Sequence, residues 1–189
     1  MRLGIFGGTF NPIHAGHLLL AETARESFGL NRVVFIPAHQ PPHKPGRTLL
    51  AGSVRLKLIQ LAIHDQPAFV ASDLELRRPG LSYSIETARI LHQQYPRAQL
   101  FLLIGEDMLA VRWVAWKELK RLCTVVIAHR PGSRRRRGEP GLQWLSMPQV
   151  DIASSDIRAR VQRGRSIRYL VPLVVERYIR RHRLYQRGT

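Results

Sequence analysis

"GIFGGTFNPIHAGH", residues 4–17, sets two adjacent glycines, a proline and two histidines three apart directly onto the apolar run Leu3–Phe6. The run reads as a strand. The segment that follows, His14–Phe28, reads as a helix. Gly29 can take the left-handed conformation that closes it. Strand, glycine turn and helix open an α/β unit, and the chain goes on repeating that order. Further strands fall at "VVFIP" (33–37), "AFVAS" (68–72), "LFLLIG" (100–105) and "TVVIAH" (124–129). Helices are expected at Ser53–His64, capped by Ser53, at Ser84–Gln94, bounded by Pro96, and up to about Leu122. Strands alternating with crossover helices predict the α/β class: a mostly parallel sheet with helices on both faces.

Ligands of such sheets bind beyond the carboxyl ends of the strands. Gly7 and Gly8, "AHQPPHK", "LELRRPGLSYS" and "GED" all follow strands, so one sheet edge should collect them. The stretch "RPGSRRRRGEPG" (130–141) reads as an exposed loop.

The chain has 189 residues and is 44% hydrophobic, which suits one folded domain. Its single cysteine, Cys123, sits in an apolar run and reads as a buried thiol in a reducing compartment. No stretch has the length of a secretory or membrane-spanning segment, so a cytoplasmic location is expected. The net charge is +17, and of 30 basic residues only Lys44, Lys57, Lys117 and Lys120 are lysines. Apart from Arg134–Arg137 the charge is spread along the chain. It lacks the aromatic and basic interleaving of single-strand binders, which argues against nucleic acid as the substrate. Such a surface also attracts nucleotides and pyrophosphate.

The opening motif is not a dinucleotide fingerprint, because its glycines are spaced Gly4-x-x-Gly7-Gly8. It has no Gly-Lys-Ser/Thr ending and so is not a P-loop. His14 and His17 lack a third ligand, which argues against a metal site. A phosphate reading fits better. Adjacent glycines let the backbone approach an anion, and the next helix points its N-terminal amides and positive dipole end at the same place. His14 and His17 lie one turn apart there, and Gly16 leaves space beside them. That set of donors suits phosphoryl or nucleotidyl transfer.

"GTFNPIHAGH" resembles the nucleotidyltransferase signature G-x-F-x-P-x-H-x-G-H. With "PPHK" (41–44), "DLELRRPGLSYSIET" (73–87), "GEDML" (105–109), "WVAWKEL" (113–119), "AHRPG" (128–132), "IASSDIR" (152–158) and "LVPLVVERYI" (170–179), the chain is similar to the bacterial nicotinate-nucleotide adenylyltransferase family over nearly its whole length. It departs from the family pattern at Asn11, Glu86 and Ala153.

The resemblance implies a single Rossmann-like nucleotidyltransferase domain over residues 1–189, with a C-terminal helical part, about 154–185, packed on it. It implies transfer of AMP from ATP to nicotinate mononucleotide, giving deamido-NAD and pyrophosphate. His14, His17, Lys44 and Arg158 would act on the phosphates. Gly7, Gly8, Thr9, Phe10, Asp107, Ser154 and Ser155 would complete the ATP site, and the two serines also stand where helix caps are expected. His43, Lys44, Tyr83, Ser84, Thr87 and Trp113 would hold the nicotinate nucleotide, with Trp116 the alternative stacking ring. Mg²⁺ would travel with ATP. Homo-oligomer formation stays open. The rival readings are an adenylyltransferase for nicotinamide mononucleotide or another phosphate acceptor, and a basic nucleic-acid-binding module on the same fold.

Overall fold

A computed structural model describes residues 1–42, 49–128, 141–148 and 150–186. In chain order the elements are β1 (Arg2–Gly8), α1 (Ala15–Ser27), β2 (Arg32–Pro37), α2 (Gly52–Ala62), β3 (Phe69–Ala71), α3 (Ser84–Gln94) and β4 (Gln99–Gly105). After the 3₁₀ turn Glu106–Ala110 come α4 (Trp116–Leu122), β5 (Cys123–Ala128), β6 (Leu142–Leu145), α5 (Ser154–Gln162) and α6 (Leu173–Arg181). The strands form one parallel sheet in the order β3-β2-β1-β4-β5-β6.

Alternation along each strand divides the core between the two faces. Phe6, Val33, Phe35, Phe101, Leu103 and Val126 meet α1, α2, α5 and α6 on one side through Leu20, Ala24, Ile59, Ile157, Val175 and Ile179. Leu3, Ile5, Val34, Ile36, Leu102, Ile104 and Val125 meet α3 and α4 on the other through Ile85, Leu91 and Leu119. Burial on both faces is why these strands read as unbroken apolar runs. The sheet grows one way from β1 to β2 and the other way from β1 to β4. Their carboxyl ends therefore diverge, and a crevice opens between the connections that leave them.

The expected strands and helices are present, with boundaries moved by a residue or two. Gly29, at φ 57°, closes α1: its amide and that of Leu30 return to the Glu26 and Arg25 carbonyls. Cys123 is buried, and burial pushes its thiol up to about 12, so it stays protonated.

Three features depart from expectation. β6 was not anticipated, because four residues are too few to show alternation and pairing with β5 creates the strand. The helix before β5 is cut to Trp116–Leu122, since Ala115 takes a left-handed φ of 52°. Ser53 does not cap α2, whose cap position is Ala51 with no side-chain bond. Ser53→Ala should therefore shift stability by less than about 0.5 kcal/mol in urea denaturation, below the ~1 kcal/mol of a working cap.

Candidate functional site

A cleft of about 440 Å³ lies at the divergence of β1 and β4. Its floor is the loop after β1. Gly7, Gly8, Thr9, Phe10, His14 and His17 all border it, as do Asp107, Trp113, Ser154, Ser155 and Arg158. Gly7 faces open space, with nothing within 4 Å of where a Cβ would stand. At Gly8 a Cβ would come within 2.9 Å of the Phe10 ring, so any side chain there would have to displace that ring. Phe10 itself is at φ 47°, and its ring is core, edge-on to Phe6 at 5.4 Å.

The loop is held by side chains from distant parts of the chain. Arg158 Nη1 donates to the Asn11 carbonyl at 2.9 Å, and Ser154 Oγ to the Pro12 carbonyl at 2.9 Å. Tyr185 Oη donates to Asn11 Oδ1 at 2.9 Å. Arg55 is 2% exposed, and its guanidinium donates to the carbonyls of Thr9, Ala38 and Leu50 at 2.8, 2.7 and 2.9 Å. The Asn11–Pro12 peptide bond is cis. Arg55 and Tyr185 escaped the sequence reading: one is an arginine among many on a helix, the other a tyrosine near the C-terminal end.

The histidines stand against one another, ring centroids 3.6 Å apart. His14 occupies the cap position of α1, and its amide donates to His17 Nδ1 at 3.2 Å. An accepting Nδ1 leaves the proton of neutral His17 on Nε2. Burial pulls His14 down to about 4, so it is neutral at pH 7. A Cβ on Gly16 would meet the His14 ring at 3.2 Å, so the space beside Gly16 is taken by His14 itself. The α1 start also offers fewer donors than expected. The Ala15 amide is bound to the Leu170 carbonyl and that of His17 to the His14 carbonyl, each at 2.9 Å. Of the first-turn amides this leaves Gly16, which borders the cleft.

Ser154 and Ser155 are the first residues of α5, with Ala153 at the cap position and no side-chain cap bond. They are therefore not caps, although both border the cleft. On the far wall Trp113 borders the cleft and its Nε1 donates to the Met108 carbonyl at 2.8 Å, whereas Trp116 packs behind it at 5.2 Å. Tyr83, Ser84, Arg112 and Trp113 line a small adjoining recess. Thr87 does not reach the cleft: it is 1% exposed, and its hydroxyl is bound to Glu75, a buried acid that does border the cleft. His43, Lys44 and Arg134–Arg137 lie outside the described residues. Among those described, no three His, Cys, Asp or Glu side chains group as a metal site, and no helix is long and apolar enough to cross a membrane.

Residues 5–160 match the cytidylyltransferase-like family. A protein of Thermomicrobium roseum named "Probable nicotinate-nucleotide adenylyltransferase" is 44% identical over 98% of this chain and 92% of its own length. One of the same name from Symbiobacterium thermophilum is 44% identical over 99% and 96%. The fold is shared with the Plasmodium falciparum nicotinic acid mononucleotide adenylyltransferase solved with NaAD, at a TM-score of 0.82, 15% identity and 97% coverage of both chains.

His14 gives the cleft a pH signature. Its folded value of about 4 lies below the free value of 6.5, so protonation favours the unfolded chain. Stability is then full above about pH 6.5 and falls as pH drops towards about 4. The loss should be on the order of 3 kcal/mol in urea denaturation. His14→Gln should flatten the profile across that window.

Proposed function

The chain belongs to the nicotinate-nucleotide adenylyltransferase family, which moves AMP from ATP to nicotinate mononucleotide in NAD biosynthesis, and we propose that its cleft does so by direct in-line displacement. The convergence of the glycine loop, the paired histidines and Arg158 on one cleft carries this reading. The 5′-phosphate oxygen of nicotinate mononucleotide attacks the α-phosphorus of ATP. The bond from that phosphorus to the bridging oxygen breaks, and pyrophosphate leaves with the electron pair. A phosphate monoester is largely ionised near neutral pH, so the step needs no general base.

The residues supply position and charge. The Gly7 and Gly8 amides cradle the triphosphate. His17, with its proton on Nε2, and Arg158 stabilise charge on the transferring and leaving phosphates. His14, held neutral, orients His17 through its amide. By the family resemblance Lys44 would add a compact positive charge for the phosphates, and His43 a contact for the nicotinate nucleotide. Asp107 and the α5 start, Ser154 and Ser155, border the ATP end. Tyr83, Ser84 and Trp113 border the end for the pyridine nucleotide, with Trp113 as the stacking ring. Nucleotidyltransferases generally use a divalent metal with ATP, and here Mg²⁺ entering with the triphosphate would neutralise its charge. We extend the reading to one domain over residues 1–189, with α5 and α6 as its C-terminal part, and to a cytoplasmic location.

Two measurements test this. Pyrophosphate release from ATP should be faster with nicotinate than with nicotinamide mononucleotide; equal rates would refute the acceptor assignment. His17→Ala should lower kcat by about 10²–10³-fold, the cost of one charge-stabilising donor. Near-normal turnover at saturating substrates would remove His17 from the mechanism.

A further inference from the structure

The connection from β3 to α3 carries a buried polar chain that the reaction itself does not use. Glu75 is 5% exposed and borders the cleft. Thr87, in the second half-turn of α3, donates from Oγ1 to Glu75 Oε1 at 2.7 Å. Arg78 Nη2 donates to the same Thr87 Oγ1 at 3.0 Å, and Arg78 Nη1 to Glu86 Oε2 at 3.0 Å. The directions are unambiguous. Arginine can only donate and a carboxylate can only accept, so the hydroxyl must take from one and give to the other. Neither Thr87 nor Arg78 borders the cleft.

These bonds close residues 75–87 on themselves. Two points of the loop, Glu75 and Arg78, are tied to α3. Its outer side is bound as well: the Ser82 amide donates to the Gln40 carbonyl at 2.9 Å and the His39 amide to Ser82 Oγ at 2.8 Å. Ser84, the first residue of α3, borders both the cleft and the recess beside Trp113. Amides in a first helical turn have no carbonyl of their own helix to bind. Here the Glu86 and Thr87 amides return to the Tyr83 carbonyl, which leaves those of Ser84 and Ile85 as the backbone donors of this turn, on a loop tied by Thr87 and Arg78.

We infer that the Arg78–Thr87–Glu75 relay is a positioning device that sets the preference of the cleft for an acid over an amide on the pyridine ring. The inference rests on the acceptor reading given above. A carboxylate accepts at both oxygens, whereas a carboxamide presents an NH₂ that cannot accept. Fixed donors leave one of their number unpaired against the amide, and sites built this way reject a mismatched group strongly. Donors free to shift lose that penalty, so slack in the loop costs discrimination before it costs catalysis.

The test compares kcat/KM for nicotinate and nicotinamide mononucleotides, by pyrophosphate release, in wild type, Thr87→Val, Thr87→Ser and Arg78→Gln. Thr87→Val keeps the shape and removes both bonds. It should lower the nicotinate-to-nicotinamide ratio by about tenfold or more. KM for nicotinate mononucleotide should rise while KM for ATP changes less than about twofold, and Thr87→Ser should restore the ratio. Arg78→Gln, away from the cleft, should shift the ratio the same way, which a lost direct contact at Thr87 would not predict. An unchanged ratio in Arg78→Gln, or a Thr87→Val enzyme that loses activity equally with both acceptors, overturns the relay while leaving the acceptor reading intact. Wild-type enzyme that does not prefer nicotinate mononucleotide overturns both.

Discussion

A loop that folds back into the interior must find partners for its own carbonyls, and at the β1–α1 connection that need organises the whole molecule. Thr9, Asn11 and Pro12 point carbonyls inward, and Arg55, Arg158 and Ser154 answer them one by one. Arg55 does more than answer one. The same guanidinium holds Ala38 and Leu50, the two residues that bracket the 39–49 segment. Burial lowers its pKa, and an unsatisfied cation there would be costly. Three carbonyls meet it instead, so one side chain ties the glycine motif to Ala38 and Leu50.

The same economy runs through the cleft wall. α5 borders the cleft, and its Ser154 and Arg158 also bind the loop backbone. Tyr185 reaches back to Asn11 from beyond α6, and burial pushes its phenol up, so it remains a donor. Asn11 is thus bound on its side chain and its backbone at once. Of the two C-terminal helices α5 borders the cleft, and both share the core of α1 and α2.

Charge is handled by geometry in this cleft. The molecule carries a net +17, yet among the described residues the basic groups that border the cleft are two histidines, one of them neutral by burial, and Arg158. A general positive field can draw polyphosphates in. Short-range donors with fixed directions then choose which oxygen is stabilised. Buried Glu75 and Thr87, with half-buried Arg78, form a further set of directed hydrogen bonds behind the cleft wall, in which Glu75 alone borders the cleft.

The parallel sheet was legible because a strand buried on both faces must be apolar at every position, as Leu100–Ile104 is, and because helices must alternate with such strands. β6 was not, because its four residues become a strand only against β5. The histidine and glycine motif was legible as a local pattern, and its residues border the cleft. What the sequence could not assign was the use of side chains that act over distance. Ser53, Ser154 and Ser155 look like caps, and none is one. Thr87 looks like a ligand contact and is buried behind the wall, while Arg55 looks like surface charge and is buried at the hub. Local sequence determined the elements and the motif at the cleft floor, whose residues are near neighbours in the chain. Only the tertiary structure decided which polar groups face the cleft and which hold it, because that depends on backbone carbonyls brought together from residues 9, 11, 12, 38 and 50.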